Sequence, residues 1–275
     1  MFSGKRSKQA RAVVTGAGSG IGKAFAWELH QRGGAVVCAD IHPAHAESIA
    51  EMIRKAGGRA IAVACDVSKL AQVEALADTA DVFFGQPANL IINNAGVGVG
   101  GMRVEDISIE DWEWIVGVNL WGVVYGCRVF VPKLRALGEG GIINVASAAS
   151  FGAAPMMGAY NATKSAAVSL SETLAAELHG SGIKVTVLCP TFVKTNIIQN
   201  TRMGKNSAAR SAGQKLMDRQ GLGPELVASK TLDALDRGQL HYLPQLDARV
   251  SWALKRMAPG MFTRSMGIIG KFMPK

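Results

Sequence analysis

"TGAGSGIG", Thr15 to Gly22, follows the apolar, β-branched run RAVVT and opens a segment whose apolar residues recur at helical spacing. Glycines between a strand and a helix let the backbone bend tightly and approach a pyrophosphate, which then meets the positive end of that helix. The spacing is Gly16-x-x-x-Gly20-x-Gly22 rather than GxGxxG, so the turn alone is weak evidence for a nucleotide. The next apolar run ends at Asp40, 24 residues after Gly16, where a carboxylate would accept hydrogen bonds from an adenosine ribose and repel a 2′-phosphate. No Arg or Lys lies in Thr15–Gly22 or directly after Asp40, which points to NAD rather than NADP. The plainer alternative for Asp40 is a solvated aspartate at a strand end.

Outward from this turn, apolar β-like runs recur at residues 11–15, 35–39, 60–65, 89–93, 141–146 and 183–188, separated by helix-length segments such as Ile21–Arg32, Ala44–Ala56, Leu70–Phe84, Ser108–Leu137 and Gly158–Gly180. This alternation predicts an α/β fold, a doubly wound (Rossmann-type) parallel sheet with helices on both faces, in one domain over 11–245. Residues 1–10 read as a basic tail and 246–275 as a basic, amphipathic helical extension. The polar, basic stretch Asn196–Gly223 follows the last core run, where ligands of doubly wound sheets bind, and is a candidate lid with little regular structure.

The chain has 275 residues, of which 48% are apolar and 19% charged, an ordinary globular balance. Its net charge of +9 suggests nucleic acid until the distribution is read. Residues 1–11 hold four basic and no acidic side chains, residues 245–275 hold six and one, and the rest balances at 20 each. Basic ends on a neutral body, with no groove-reading element, argue against nucleic acid. No apolar run approaches the roughly 18 residues of a membrane span and no signal peptide is apparent, so the expected location is cytoplasmic. Cys38, Cys65, Cys127 and Cys189 are isolated and read as buried thiols, with no metal site expected.

Three motifs together resemble the short-chain dehydrogenase/reductase family over about residues 10–245: TGAGSGIG, Asn93-Asn94-Ala95-Gly96, and Tyr160-x-x-x-Lys164. On a helix, residues four apart share a face, so Tyr160 and Lys164 point into one space. The resemblance implies a seven-stranded sheet, a homo-oligomer (dimer or tetramer, with a homotetramer common in the family) and a hydride exchange with NAD. It also implies Ser147, thirteen positions before the tyrosine, and Asn119 in "VGVNLWG" as partners of the pair. In that scheme Tyr160 is the acid or base, and Lys164 and the charged nicotinamide lower its pKa. Ser147 holds the substrate oxygen, Lys164 also grips the nicotinamide ribose, and Asn119 keeps a water in line with Lys164. The cofactor set implied is Gly16, Ser19, Gly20, Ile21, Gly22, Asp40, Ile41, Asp66, Val67, Asn93, Ala95, Gly96, Tyr160, Lys164, Pro190, Val193 and Thr195. Helix capping would explain Asp66 equally well. Thr191 stands where many relatives have glycine, a departure in the loop that would hold the carboxamide.

Expected pocket residues are Val97, Ser147, Met156, Met157, Tyr160 and Phe192, with Val99, Met102, Phe151, Ile197 and Ile198 nearby. Such walls suit an apolar secondary alcohol or ketone resembling a steroid, retinoid, terpenoid or long-chain compound. The lid's five basic residues suggest instead an anionic carbonyl substrate such as an acyl thioester, and a third reading is a catalytically idle dinucleotide-binding regulator. In the tail, Val250, Ala253, Leu254 and Met257 share one helical stripe and Met261, Ile268, Ile269 and Phe272 a second, with Pro259-Gly260 between. These helices either cover the pocket mouth, pack on a neighbouring subunit, dock as a peripheral element on an anionic membrane, or are disordered.

Overall fold

The structure, a computed structural model, describes residues 4–204 and 207–271. β1 (Arg11–Thr15) is followed by α1 (Gly20–Gln31), β2 (Ala35–Asp40), α2 (Pro43–Lys55), β3 (Arg59–Ala64), α3 (Leu70–Phe84) and β4 (Leu90–Asn93). A two-residue β5 (Val99–Gly100) leads to α4 (Ile109–Val116), which passes through a π-helical turn, Gly117–Trp121, into α5 (Gly122–Leu137). Then come β6 (Gly140–Val145), α6 (Ala149–Gly152), α7 (Gly158–Glu177) and β7 (Ile183–Leu188). The chain ends with β8 (Arg202–Met203), α8 (Ser207–Gln220), α9 (Pro224–Asp236), β9 (His241–Tyr242), α10 (Leu246–Met257) and α11 (Pro259–Lys271).

Seven strands form one parallel sheet in the order β3-β2-β1-β4-β6-β7-β9. Every residue of β4 and β6 is buried, because helices cover both faces, whereas the edge strand β3 is only partly covered. The order reverses between β1 and β4, and the crevice at that switch point opens beyond their carboxyl ends. The glycine turn leaves β1 there and the NNAG segment leaves β4 there.

Ile109–Leu137 forms one continuous helical run, long and apolar enough to cross a membrane by length and composition. The sequence reading found no such run. Its buried positions Ile115, Asn119, Val123, Gly126, Phe130 and Leu134 make a single stripe, and α5 lies on β4, β6 and α3, as a core helix does.

Three further features escape the hydropathy pattern. β9 has two residues, too few to show a period, and α9 is held by packing on α1. The stretch expected to be irregular at 196–223 is helical over Ser207–Gln220. Arg6 and Ser7, ahead of β1, are docked on the body: buried Arg6 pairs with Glu139 and donates to the Gly182 carbonyl at 3.1 Å, and Ser7 binds the Asp236 carboxylate.

Candidate active site

The floor of the crevice is a weld between the glycine turn and the segment after β4. The Thr15 hydroxyl accepts from the Asn94 N–H at 3.0 Å and the Ala95 N–H at 3.1 Å, while Asn94 Nδ2 donates to the carbonyls of Thr15 (2.8 Å) and Gly16 (3.1 Å). A Cβ on Gly22 would lie 2.1 Å from the Gly16 oxygen, so the helix can start this close only as glycine. Gly20, at φ +53°, faces the Thr195 methyl, 2.9 Å from where its own Cβ would be. Ser19 occupies the N-cap of α1 with its side chain uncommitted, and Gly20, Ile21 and Gly22 present first-turn amides that lack an intrahelical partner. This cradle fits a dinucleotide pyrophosphate.

Asp40 is buried rather than solvated. Its carboxylate accepts from Gly18 N–H at 2.9 Å and His42 N–H at 3.0 Å, bracing the glycine turn while keeping lone pairs for a ribose. Ile41 beside it is exposed. Asp66 closes a local turn on Ser68, accepting from its N–H at 2.9 Å and hydroxyl at 2.7 Å, and Val67 is buried against Gly122. Asn93 departs from expectation: its side chain is buried in the core, where Nδ2 donates to Asn144 at 2.8 Å, and Asn144 in turn donates to Ser171. Its neighbour Asn94, not singled out from the sequence although it stands in the same motif, is the one that shapes the crevice.

On the far wall, the loop after β7 is held by Leu222, which pairs on either side of Val193, and by Gln245. The Thr191 N–H donates to Gln245 Oε1 at 3.1 Å, and Gln245 Nε2 donates to the Phe192 carbonyl at 2.7 Å. The N–H and C=O of Val193 have no partner among the described residues and face away from that pairing. Thr191, the departure from the family's glycine, donates its hydroxyl to Asp247 at 3.3 Å. The Pro190 carbonyl accepts from Ala148 N–H at 2.8 Å, tying this loop to the one that carries Ser147.

Between the walls, Asn119, Ser147, Tyr160 and Lys164 are brought together from three segments: the π-helical turn, the loop after β6, and α7, which carries both the tyrosine and the lysine. Asn119 sits in the π-helical turn and is fully buried; its Oδ1 accepts from Val97 N–H at 2.8 Å and its Nδ2 donates to the Val97 carbonyl at 2.9 Å. Lys164 Nζ donates to the Val145 carbonyl at 2.8 Å and lies 5.8 Å from the Tyr160 ring centre. A Cβ on Gly96 would sit 3.3 Å from Nζ, so this glycine keeps the lysine open to the crevice. Burial holds the Lys164 pKa down, to about 8. Burial also raises the Tyr160 pKa above its ordinary value, and a hydrogen bond with Ser147 only partly reverses this. Among the protein's own groups, loss of water thus outweighs the Ser147 hydrogen bond, and the expected lowering depends on the charge of the bound nicotinamide.

Tyr160 packs with Val97, Met102, Trp112 and Trp114 around buried Val99, Ile107 and Ile115. Met102 bridges to Met157, Gly101 N–H donates to the Met156 carbonyl at 2.8 Å, and β5 pairs with β8. These pairings stitch three pocket segments together. Arg202 stacks 3.8 Å over the Trp114 ring and donates to Asp111 at 2.9 Å, pinning β8 onto α4. Phe192 is partly exposed on the loop, Ile198 is buried beneath α8, and Phe151 packs instead on the cluster that holds Ala248 of α10. Nothing in the local sequence marks Trp112 and Trp114 as wall residues: they stand two apart on α4 and share no helical face. All four cysteines are buried and free, with burial raising the Cys38 and Cys189 thiols to about 12.

The family model for the short chain dehydrogenase matches residues 10–206. Among curated proteins, the probable oxidoreductase EphD of Mycobacterium tuberculosis is 35% identical over 82% of this chain, which spans only 39% of that protein's length. The 1-deoxy-11-beta-hydroxypentalenate dehydrogenase of Streptomyces exfoliatus is 34% identical over 87% of this chain and 84% of its own. A short chain dehydrogenase/reductase from Burkholderia phymatum, solved in complex with NAD, superposes with a TM-score of 0.88 at 35% identity, covering 93% of this chain and 96% of that one. With the glycine turn, the NNAG weld and the serine, tyrosine and lysine cluster inside the matched span, the chain belongs to the short-chain dehydrogenase/reductase family.

Proposed function

We infer that the protein is an NAD-dependent oxidoreductase that interconverts an apolar secondary alcohol and its ketone. The single observation that supports this most is the convergence of Ser147, Tyr160 and Lys164 opposite a glycine cradle whose first-turn amides have no intrahelical partner. Tyr160 takes the proton from the alcohol, or returns it to the carbonyl; Ser147 orients the substrate oxygen. Lys164 holds the ribose, and Asn119 shapes the water path to it by fixing Val97. The Val193 backbone and the Thr195 hydroxyl receive the carboxamide. When bound in its oxidised form, NAD supplies the hydride acceptor and a positive charge beside Tyr160 that opposes the effect of burial. Asp40, buried and with no cation beside it on the chain, favours NAD over NADP.

The apolar substrate class rests on the wall of Val97, Met102 and Trp114, with Met157 bridged to Met102. Two of the lid's described cations are committed within the chain, which weighs against the anionic alternative: Arg202 is held by Asp111 and Trp114, and Arg210 by the carbonyls of Gln199 and Thr201. The intact proton-transfer group speaks against an idle regulator. Exposed Ile109 and Trp121, the latter stacked on Tyr125, support a homo-oligomer built along α4 and α5. The test is a panel of apolar secondary alcohols and ketones with NAD(H), followed by nicotinamide absorbance. Absence of turnover across steroid, terpenoid and long-chain members would refute the substrate class.

A further inference from the structure

α10 packs on α6, with Ala248 buried and Ser251 and Trp252 partly buried, and Phe151 and Trp252 both pack on the cluster that holds Ala248. At about 100° per residue, the apolar residues of α10 fall on the opposite side, facing away from the body. They are bare: Leu246 is 73% exposed, Val250 49%, Leu254 47% and Met257 77%. α11 repeats the arrangement. Phe262, Met266 and Gly270 face inward, with Gly270 against Pro155, while Met261 (74%) and Ile268 (59%) face out. Phe272, which would extend this second stripe, lies outside the described residues. Burial of α10 thus selects Ala248 and Trp252, not the stripe that the sequence reading singled out.

Charge decides what fits this face. On α10, Arg249 and Arg256 flank the apolar strip, Arg249 donating to the Leu243 carbonyl at 2.8 Å and Arg256 lying 4.7 Å over the Trp252 ring, and on α11 Arg264 and Lys271 flank it; over residues 245–275 the only acid is Asp247. A second copy related by a two-fold axis would bring these cations onto each other, with too few carboxylates to pair them. An anionic lipid surface complements them, and long basic side chains reach its headgroups while Leu, Val and Met enter the acyl boundary.

We propose that the α10–α11 hairpin is a docking surface for an anionic membrane. The hairpin lies on α6 and Pro155, beside the Met156–Met157 wall, so docking places the substrate side of the crevice at the lipid surface. The inference does not depend on the substrate class. Full-length protein is tested by flotation with phosphatidylserine-containing and with pure phosphatidylcholine vesicles, at low and high salt, beside the double variant L254E/M257E. Both positions are exposed, so the variant should keep its unfolding midpoint and NAD(H) affinity. Wild type should float with anionic vesicles, lose binding at high salt, and ignore neutral ones; the variant should bind at least about tenfold more weakly. Failure of wild type to float, equal flotation with neutral vesicles, or flotation of the variant like wild type would each overturn the proposal. So would a variant whose only change is a smaller assembly in light scattering, since that would make the hairpin a subunit contact.

Discussion

The side-chain amide of Gln245 bridges two consecutive residues of the loop after β7, accepting from the Thr191 N–H and donating to the Phe192 carbonyl at 2.7 Å. It comes from the N-cap position of α10, so the start of the C-terminal extension fixes the loop that presents Val193 and Thr195 to the crevice.

Gln245→Ala removes both bonds at once. At about 1 kcal/mol for each net hydrogen bond, NAD(H) affinity should fall by roughly tenfold, with little change in turnover at saturating cofactor. Calorimetric titration with NADH checks it; an unchanged dissociation constant would show that Leu222 alone holds the loop.

Tyr160→Phe should lower turnover by about a thousandfold, the range of a general acid–base group, while NAD binding stays intact because Lys164 and the cradle are untouched. Steady-state rates with any substrate the wild type accepts, beside NADH titration, separate the two effects.

Lys164→Met carries a sign set by burial. The folded-state pKa, about 8, lies below the ordinary 10.5, so below about pH 8 the wild type bears the full cost of a buried ammonium. Between about 8 and 10.5 the folded lysine loses its proton while the unfolded one keeps it, and wild-type stability rises. The melting temperature of the Met variant relative to wild type should therefore fall as pH climbs through that window. A difference independent of pH would mean that Lys164 is not desolvated.

Asp40→Ala combined with Ile41→Arg should shift preference from NAD toward NADP, since it replaces a carboxylate with a cation at an exposed neighbour. It should also lower stability by about 1–3 kcal/mol, because the N–H groups of Gly18 and His42 lose their acceptor. Paired dissociation constants and a denaturant titration test the two halves; wild type binding both cofactors equally would remove the premise.

The six long strands, the glycine turn, NNAG and the Tyr160/Lys164 spacing were all legible in the sequence, because each is a local pattern: alternation of apolar runs, a turn that demands glycine, two residues one helical turn apart. What the chain does with distant residues was not legible. That Asn94 rather than Asn93 faces Thr15 depends on the twist of the chain as it leaves β4, and Trp114 joins the pocket wall only because α4 crosses α7 there. The Tyr160 pKa followed the same rule: charge spacing along a helix predicts a lowering, but burial, a property of the whole fold, reverses it. The tail shows the limit most plainly. Its amphipathic helices were visible from residue spacing, yet only packing on α6 and Pro155 decided that the face carrying Ala248, Trp252, Phe262 and Gly270 turns inward, leaving Leu254, Met257 and Met261 to solvent, since contact with the body selects the face whose shape fits.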